Sequence, residues 1–138
     1  MVTIGKEFVK FLEGLLGLEF GKDLFYMRTP DVDTPVFWVI QNSGVVSWEN
    51  KTNEKLKEYS FTLNFRDTSA ENVDKTIEKV ESILSKLKCI RFKCHYVYRI
   101  SLSTLPSQDD VDSEDRYRGS LNITLHAYDK AQIDVEPD

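Results

Sequence analysis

The chain has 138 residues, of which 41% are hydrophobic and 30% charged; that balance belongs to a globular domain and excludes long-range disorder. A chain of this length can bury roughly two thirds of its surface in one core and needs no disulfide staples. Eighteen basic against twenty-three acidic residues give a net charge of -5, which excludes the electrostatic footprint of a duplex-wrapping nucleic-acid binder.

The apolar residues Ile4, Phe8, Phe11, Leu12, Leu15 and Leu16 recur at helical spacing, so an amphipathic helix is expected from Thr3, its N-cap, to Gly17. Leu24 to Arg28 and Val36 to Asn42 read as two short strands. The prolines and aspartates of Thr29 to Pro35 extend the connection between them. Phe37, Trp38, Val39 and Ile40 are apolar on both parities, which predicts either a strand covered on both faces or a subunit contact. Phe37, Trp38, Val39 and Trp48 are the candidate contact residues. Ser47 to Glu58 is a polar excursion whose shape the pattern leaves open.

From Glu58 to Arg66 the alternation is clear. Tyr59, Phe61, Leu63 and Phe65 occupy one face and Glu58, Ser60, Thr62, Asn64 and Arg66 the other, as in a half-buried strand. Thr68 and Glu71 form a capping-box pattern ahead of Val73, Ile77, Val80, Leu84 and Leu87, which predicts a second helix. A long strand follows, with Phe92, Cys94, Tyr96, Tyr98, Ile100 and Leu102 expected on the core face and Lys93, His95, Arg99, Ser101 and Ser103 outside. A partner strand sets Gly119, Leu121, Ile123, Leu125 and Ala127 against Arg118, Ser120, Asn122, Thr124 and His126. Residues 131–138 lack periodicity and are expected to be a loose tail.

These elements predict a single α+β domain spanning residues 1–138. Its single mixed, mostly antiparallel sheet is backed by two helices in the order α-β-β-β-α-β-β, with a long hairpin and a protruding acidic loop. The strand-helix-strand crossover should be right-handed and place the second helix on the apolar face. The loop holds Asp109, Asp110, Asp112, Glu114 and Asp115 without a basic residue, so this one segment accounts for the net charge.

Catalytic and metal signatures are not found. Cys94 and His95 are neighbours on a strand and point to opposite faces, no CxxC pair occurs, and the expected reading is a core thiol at Cys94 and a boundary thiol at Cys89. Asp110, Asp112 and Glu114 take odd positions of a calcium loop, but its sixth position is Asp115 instead of glycine and its twelfth is Leu121 instead of glutamate, so the match fails. There is no phosphate-binding GxxxxGK[ST] loop, no GxGxxG and no GxSxG elbow, and no spacing singles out a histidine for a nucleophilic triad. No cofactor and no catalytic residue are expected. The longest apolar run, Val36 to Ile40, is far short of the roughly 20 residues of a membrane span, and Lys6, Glu7, Lys10 and Glu13 interrupt any signal-like segment. The expectation is reduced cysteines in a cytosolic setting and no membrane partner.

What remains is a sheet face of Ser60, Thr62, Asn64, Arg66, Ser120, Asn122, Thr124 and His126. Hydroxyls and amides with few charges are easily desolvated, which suits protein packing as well as it suits plain contact with water.

The segments "YSFTLNFRD", "SAENVDKTIEKVESILSKL", "FKCHYVYRISLST" and "DRYRGSLNITLHAYD", with the opening helix and "LFYMRTPDVDTPVFWVI", resemble the tail terminator, or tail-completion, proteins of long-tailed bacteriophages, often described as minor capsid proteins. The turn opening the last strand, Asp115, Arg116, Tyr117, Arg118 and Gly119, is of the family's kind, whereas the polar excursion between Trp48 and Lys57 departs from it. The resemblance implies a non-enzymatic virion protein, assembled in the host cytoplasm, that forms a homo-oligomeric ring of hexameric type on the head-proximal end of the tail tube. Its implied partners are copies of itself, the tail-tube protein and the head-completion or neck proteins, with DNA only as passing cargo. Asp109, Asp110, Asp112, Glu114, Asp115, Arg116 and Arg118 are then candidates for a lumen or interaction loop, on the lumen side or on the tube-binding face. The alternatives are another neck component, such as a head-completion or stopper protein, or a small α+β enzyme or ligand-binding module.

Overall fold

A computed structural model describes residues 3–30, 32, 35–42, 46–49, 55–93, 95–104 and 116–129. Helix α1 spans Ile4–Leu16. Thr3 caps it by accepting the Lys6 N–H on its hydroxyl at 3.4 Å. Gly17 ends it in the left-handed region (φ 67°), where its N–H still reaches the Glu13 carbonyl, a conformation that a side chain would oppose. Strand β1 (Leu24–Tyr26) pairs parallel with β2 (Val36–Gln41). β1 stops before the expected Arg28 because Met27 turns into the left-handed region (φ 61°).

Two strands lie where none were expected. β3 (Val46–Glu49) overlaps the start of the polar excursion and pairs antiparallel with the start of β4 (Lys55–Asp67). β5 (Ile90–Arg91) pairs with β6 (His95–Thr104). Both are too short to display a period, and pairing with a long neighbour is what organises them. Helix α2 spans Ala70–Ser85, and its cap is Ser69 rather than the expected Thr68. The Asp67 carboxylate accepts the Thr68 N–H at 2.7 Å and the Asn72 side-chain amide, which leaves the Ser69 hydroxyl to accept the Asn72 N–H at 3.2 Å. The last strand, β7, spans Tyr117–Asp129.

The sheet order is β1-β2-β4-β7-β6-β5, with β3 on β4, and every pairing except β1 with β2 is antiparallel. A mixed, mostly antiparallel sheet backed by two helices is thus present. β7 lies between β4 and β6, so these two run parallel and α2 crosses over β7. Gly119 makes that crossing close: a Cβ there would stand 2.7 Å from a Val73 methyl and 2.8 Å from Ile77 Cγ1, so a side chain at this position would force Val73 and Ile77 to shift.

The main core joins α1 through Ile4, Phe8 and Leu12 and α2 through Val73, Ile77, Val80 and Leu84 to the inner sheet residues Phe61, Leu63, Leu121, Ile123 and Leu125. The Phe8 and Phe61 rings meet at 4.8 Å. Full burial of each such side chain stabilises the fold by about 1.5–3 kcal/mol relative to its exposure.

One parity expectation is overturned. His95, expected on the outer face, is 5% exposed, and Val97 is fully buried. The register of β6 against β7 shifts between Val97 and Arg99, so a bulge reverses parity in mid-strand. His95 and Val97 therefore face the core before it, and Ile100 and Leu102 pack against the core after it. Tyr96 and Tyr98 face outward against Tyr128. His95 Nδ1 lies 2.5 Å from Glu7 Oε1, a buried polar clasp between α1 and the sheet.

A second, smaller cluster covers the other face of β2. Phe25, Val36 and Trp38 are buried there with Val32 and Ile40 against them. The Arg66 guanidinium lies over the Trp38 ring at 5.3 Å and donates to the Pro30 carbonyl at 2.8 Å and the Val32 carbonyl at 3.3 Å. β2 is apolar on both parities because this cover is intramolecular.

Candidate interaction surface

Outside the corner held by Arg66, the open face of the sheet is a ladder of neutral polar side chains. Antiparallel register sets Ser60 opposite Thr124, Thr62 opposite Asn122 and Asn64 opposite Ser120. Each pair is hydrogen-bonded. The Ser60 and Thr124 hydroxyls are 3.4 Å apart, the Thr62 hydroxyl donates to Asn122 Oδ1 at 2.9 Å, and the Ser120 hydroxyl donates to Asn64 Oδ1 at 2.7 Å. Asn42 extends the row from the end of β2, with its amide donating to the Thr62 hydroxyl at 3.3 Å. Polar groups that satisfy one another within the surface lose less on desolvation than polar groups that depend on water. Asn64 and Arg66 are more enclosed than the alternation implied, at 6% and 7% exposure.

At the other end the face is aromatic. Tyr98 lies 5.1 Å from Tyr128 and 6.1 Å from His126, ring to ring, and the Arg91 guanidinium sits 5.6 Å from the Tyr96 ring. Burial, reinforced by neighbouring Tyr128 and Glu58 and opposed by Arg99, pushes the Tyr98 phenol above its ordinary pKa. Tyrosine and arginine are the residue types enriched at contact surfaces.

Three side chains meet at this end in a way no local spacing signalled. His126 Nε2 lies 3.0 Å from the Ser101 hydroxyl, and its Nδ1 lies 3.1 Å from Glu58 Oε1. That is the connectivity of a serine, a base and an orienting carboxylate. The three come from β6, β7 and β4, separated by 25 and more residues, and only strand register brings them together. Among the described residues no group of three or more His, Cys, Asp or Glu could hold a metal ion. Cys89 is a free, exposed thiol.

The candidate site residues fall in different places. Asp109, Asp110, Asp112, Glu114 and Asp115 lie outside the described residues, as do Cys94 and the expected tail at 131–138. Arg116 is half-buried just before β7, and Arg118 is exposed on β7 opposite Arg66. Phe37, Trp38 and Val39, offered as a subunit contact, are 8%, 3% and 0% exposed within the single chain. Their side chains pack into the two intramolecular cores, Phe37 and Val39 in the larger and Trp38 in the smaller. Trp48 lies on β3, its backbone opposite Leu56.

No family model matches the chain, and no curated protein matches it. Among solved structures, a chain from the virion of a native gene transfer agent particle is similar over 85% of this chain and 84% of its own, at 15% identity and a TM-score of 0.46.

Proposed function

We propose that the protein is a structural component of a virion, a tail terminator that acts by fitting against copies of itself and neighbouring proteins. The observation that carries this reading is the open sheet face, a row of internally satisfied neutral polar side chains with a tyrosine cluster at one end, which costs little to desolvate. The outer edge of β6 supports it as well. β5 covers that edge only at Tyr96 and Val97, so from Ile100 onward the strand has no second partner among the described residues and offers backbone donors and acceptors to an added strand. A ring needs two unlike patches on each subunit, and this edge together with the opposite edge at β1 and β3 supplies them. In that ring the acidic residues from Asp109 to Asp115 face either the lumen, where they repel passing DNA phosphates, or the tube-binding face. The segment resemblances drawn from the sequence point the same way.

Native mass measurement, alone and after mixing with a tail-tube protein from the same genome, tests the proposal. The expected result is a closed ring, either free or on the tube, and tubes of limited length. A monomer that neither self-associates nor limits tube length overturns it. A second reading, a serine hydrolase, rests on Ser101, His126 and Glu58. Labelling by a fluorophosphonate reagent that vanishes in Ser101→Ala would favour it, and no labelling is expected if the protein acts by contact alone.

A further inference from the structure

A groove of about 330 Å³ runs along the exposed side of α1, lined by Lys6, Val9, Lys10, Glu13, Phe20 and Tyr26. Its floor is apolar: Val9 is buried, while the Phe20 ring stands 55% exposed at the rim, which is unusual for a phenyl group in water. The walls are well supported. Tyr26 donates its phenol to Gln41 Oε1 at 2.9 Å, and Gly5 lets that phenol approach, since a Cβ at Gly5 would stand 1.8 Å from the Tyr26 hydroxyl oxygen. Glu13 is already engaged, with Oε2 accepting the Phe20 N–H at 2.7 Å.

Lys6 and Lys10 are different. They stand one helical turn apart, both exposed, and neither has an ion-pair partner among the described residues. Like charges four apart on a helix repel, so an anionic group placed between them relieves a cost the free protein bears. Two lysines in a chain of net charge -5 make a basic spot too small for an anionic membrane or a nucleic acid, and matched in size to a short acidic segment. The volume is at the small end for ligand sites and suits one or two apolar side chains better than a cofactor.

From these observations we infer that the groove binds an acidic segment of a partner protein, seating an apolar side chain against Val9, Phe20 and Tyr26 with carboxylates on Lys6 and Lys10. This inference does not depend on the ring reading. The probe is a dye-labelled peptide with a central Leu-Phe pair flanked on each side by two glutamates, followed by fluorescence anisotropy on the full chain. Saturable binding is expected, weakened about tenfold or more by the double variant Lys6→Glu/Lys10→Glu and by added salt, and weakened also by Phe20→Ala. A lysine-flanked counterpart should not bind. Circular dichroism of the variants controls for folding, and the milder Lys6→Gln/Lys10→Gln pair provides a second set. The inference is overturned by absent saturation at millimolar peptide or by equal binding of the lysine-flanked peptide. It is equally overturned by affinity that survives charge reversal. If Ile133→Ser/Val135→Ser tightens binding about tenfold, the occupant is the chain's own segment 131–138 and the partner assignment falls.

Discussion

Replacing Glu7 with alanine is expected to destabilise the protein by about 3–5 kcal/mol, the cost of breaking a buried polar pair by removing one member. Glu7 and His95 are 7% and 6% exposed at their side chains and stand 2.5 Å apart, with the Tyr59 ring edge-on to the imidazole at 6.0 Å. Water cannot readily replace the lost carboxylate, so His95 would keep its desolvation cost without its partner. The consequence is local as well as global. Glu7 lies one residue from Phe8, so the helix that loses its clasp also carries the Phe8 contact with Phe61. Glu7→Gln, which keeps a hydrogen-bonding side chain, should lose much less. The double replacement Glu7→Leu/His95→Phe, which removes both polar groups and refills the space, should recover most of the stability. Urea unfolding of the four proteins measures this. A loss under about 1 kcal/mol for Glu7→Ala would mean that apolar contacts alone dock α1.

The second large effect is expected at Arg66. Its guanidinium covers Trp38 and holds the Pro30 and Val32 carbonyls, so Arg66→Ala removes charged hydrogen bonds and a ring contact together, at a combined cost of about 2–4 kcal/mol. Losing this brace should uncover the outer side of β2. Trp38 emission, measured in a Trp48→Phe background, is therefore expected to shift to longer wavelength in the folded protein before any unfolding transition. Arg66→Lys keeps the charge but not the planar fork, and should fall between the two. Unchanged emission and stability in Arg66→Ala would show that the apolar cluster of Phe25, Val36 and Trp38 holds the cover without the arginine.

Much of the architecture was readable along the chain because apolar periodicity is itself a product of burial. The stripe Ile4, Phe8, Leu12 and the stripe Val73, Ile77, Val80, Leu84 became the two helix faces, and Tyr59, Phe61, Leu63 and Phe65 turned inward as their alternation requires. β3 and β5 were not readable, since four and two residues cannot establish a period. The bulge in β6 was hidden for a related reason. Counting parity assumes an unbroken pleat, and a single inserted residue at Tyr98 exchanges the inner and outer faces, taking His95 from the surface into the core. The double-sided apolar run at Phe37 to Ile40 allowed two explanations, and chain distance concealed the intramolecular cover, because the covering Arg66 lies nearly thirty residues downstream.

The polar face was partly legible in the same sense. Ser60, Thr62, Asn122 and Thr124 were placed on it by alternation, but their pairing depends on the register between β4 and β7. Ser101, His126 and Glu58 converge for that reason alone, and the groove beside α1 exists because β1 brings Tyr26 against Gly5. Composition and periodicity determined the class of fold, the two helices and the inner faces of the long strands, because those depend on which side of each element must leave water. Tertiary structure decided the Glu7 and His95 clasp, the Arg66 brace, the polar ladder and the groove, because each joins residues whose proximity arises only after the strands have chosen their partners.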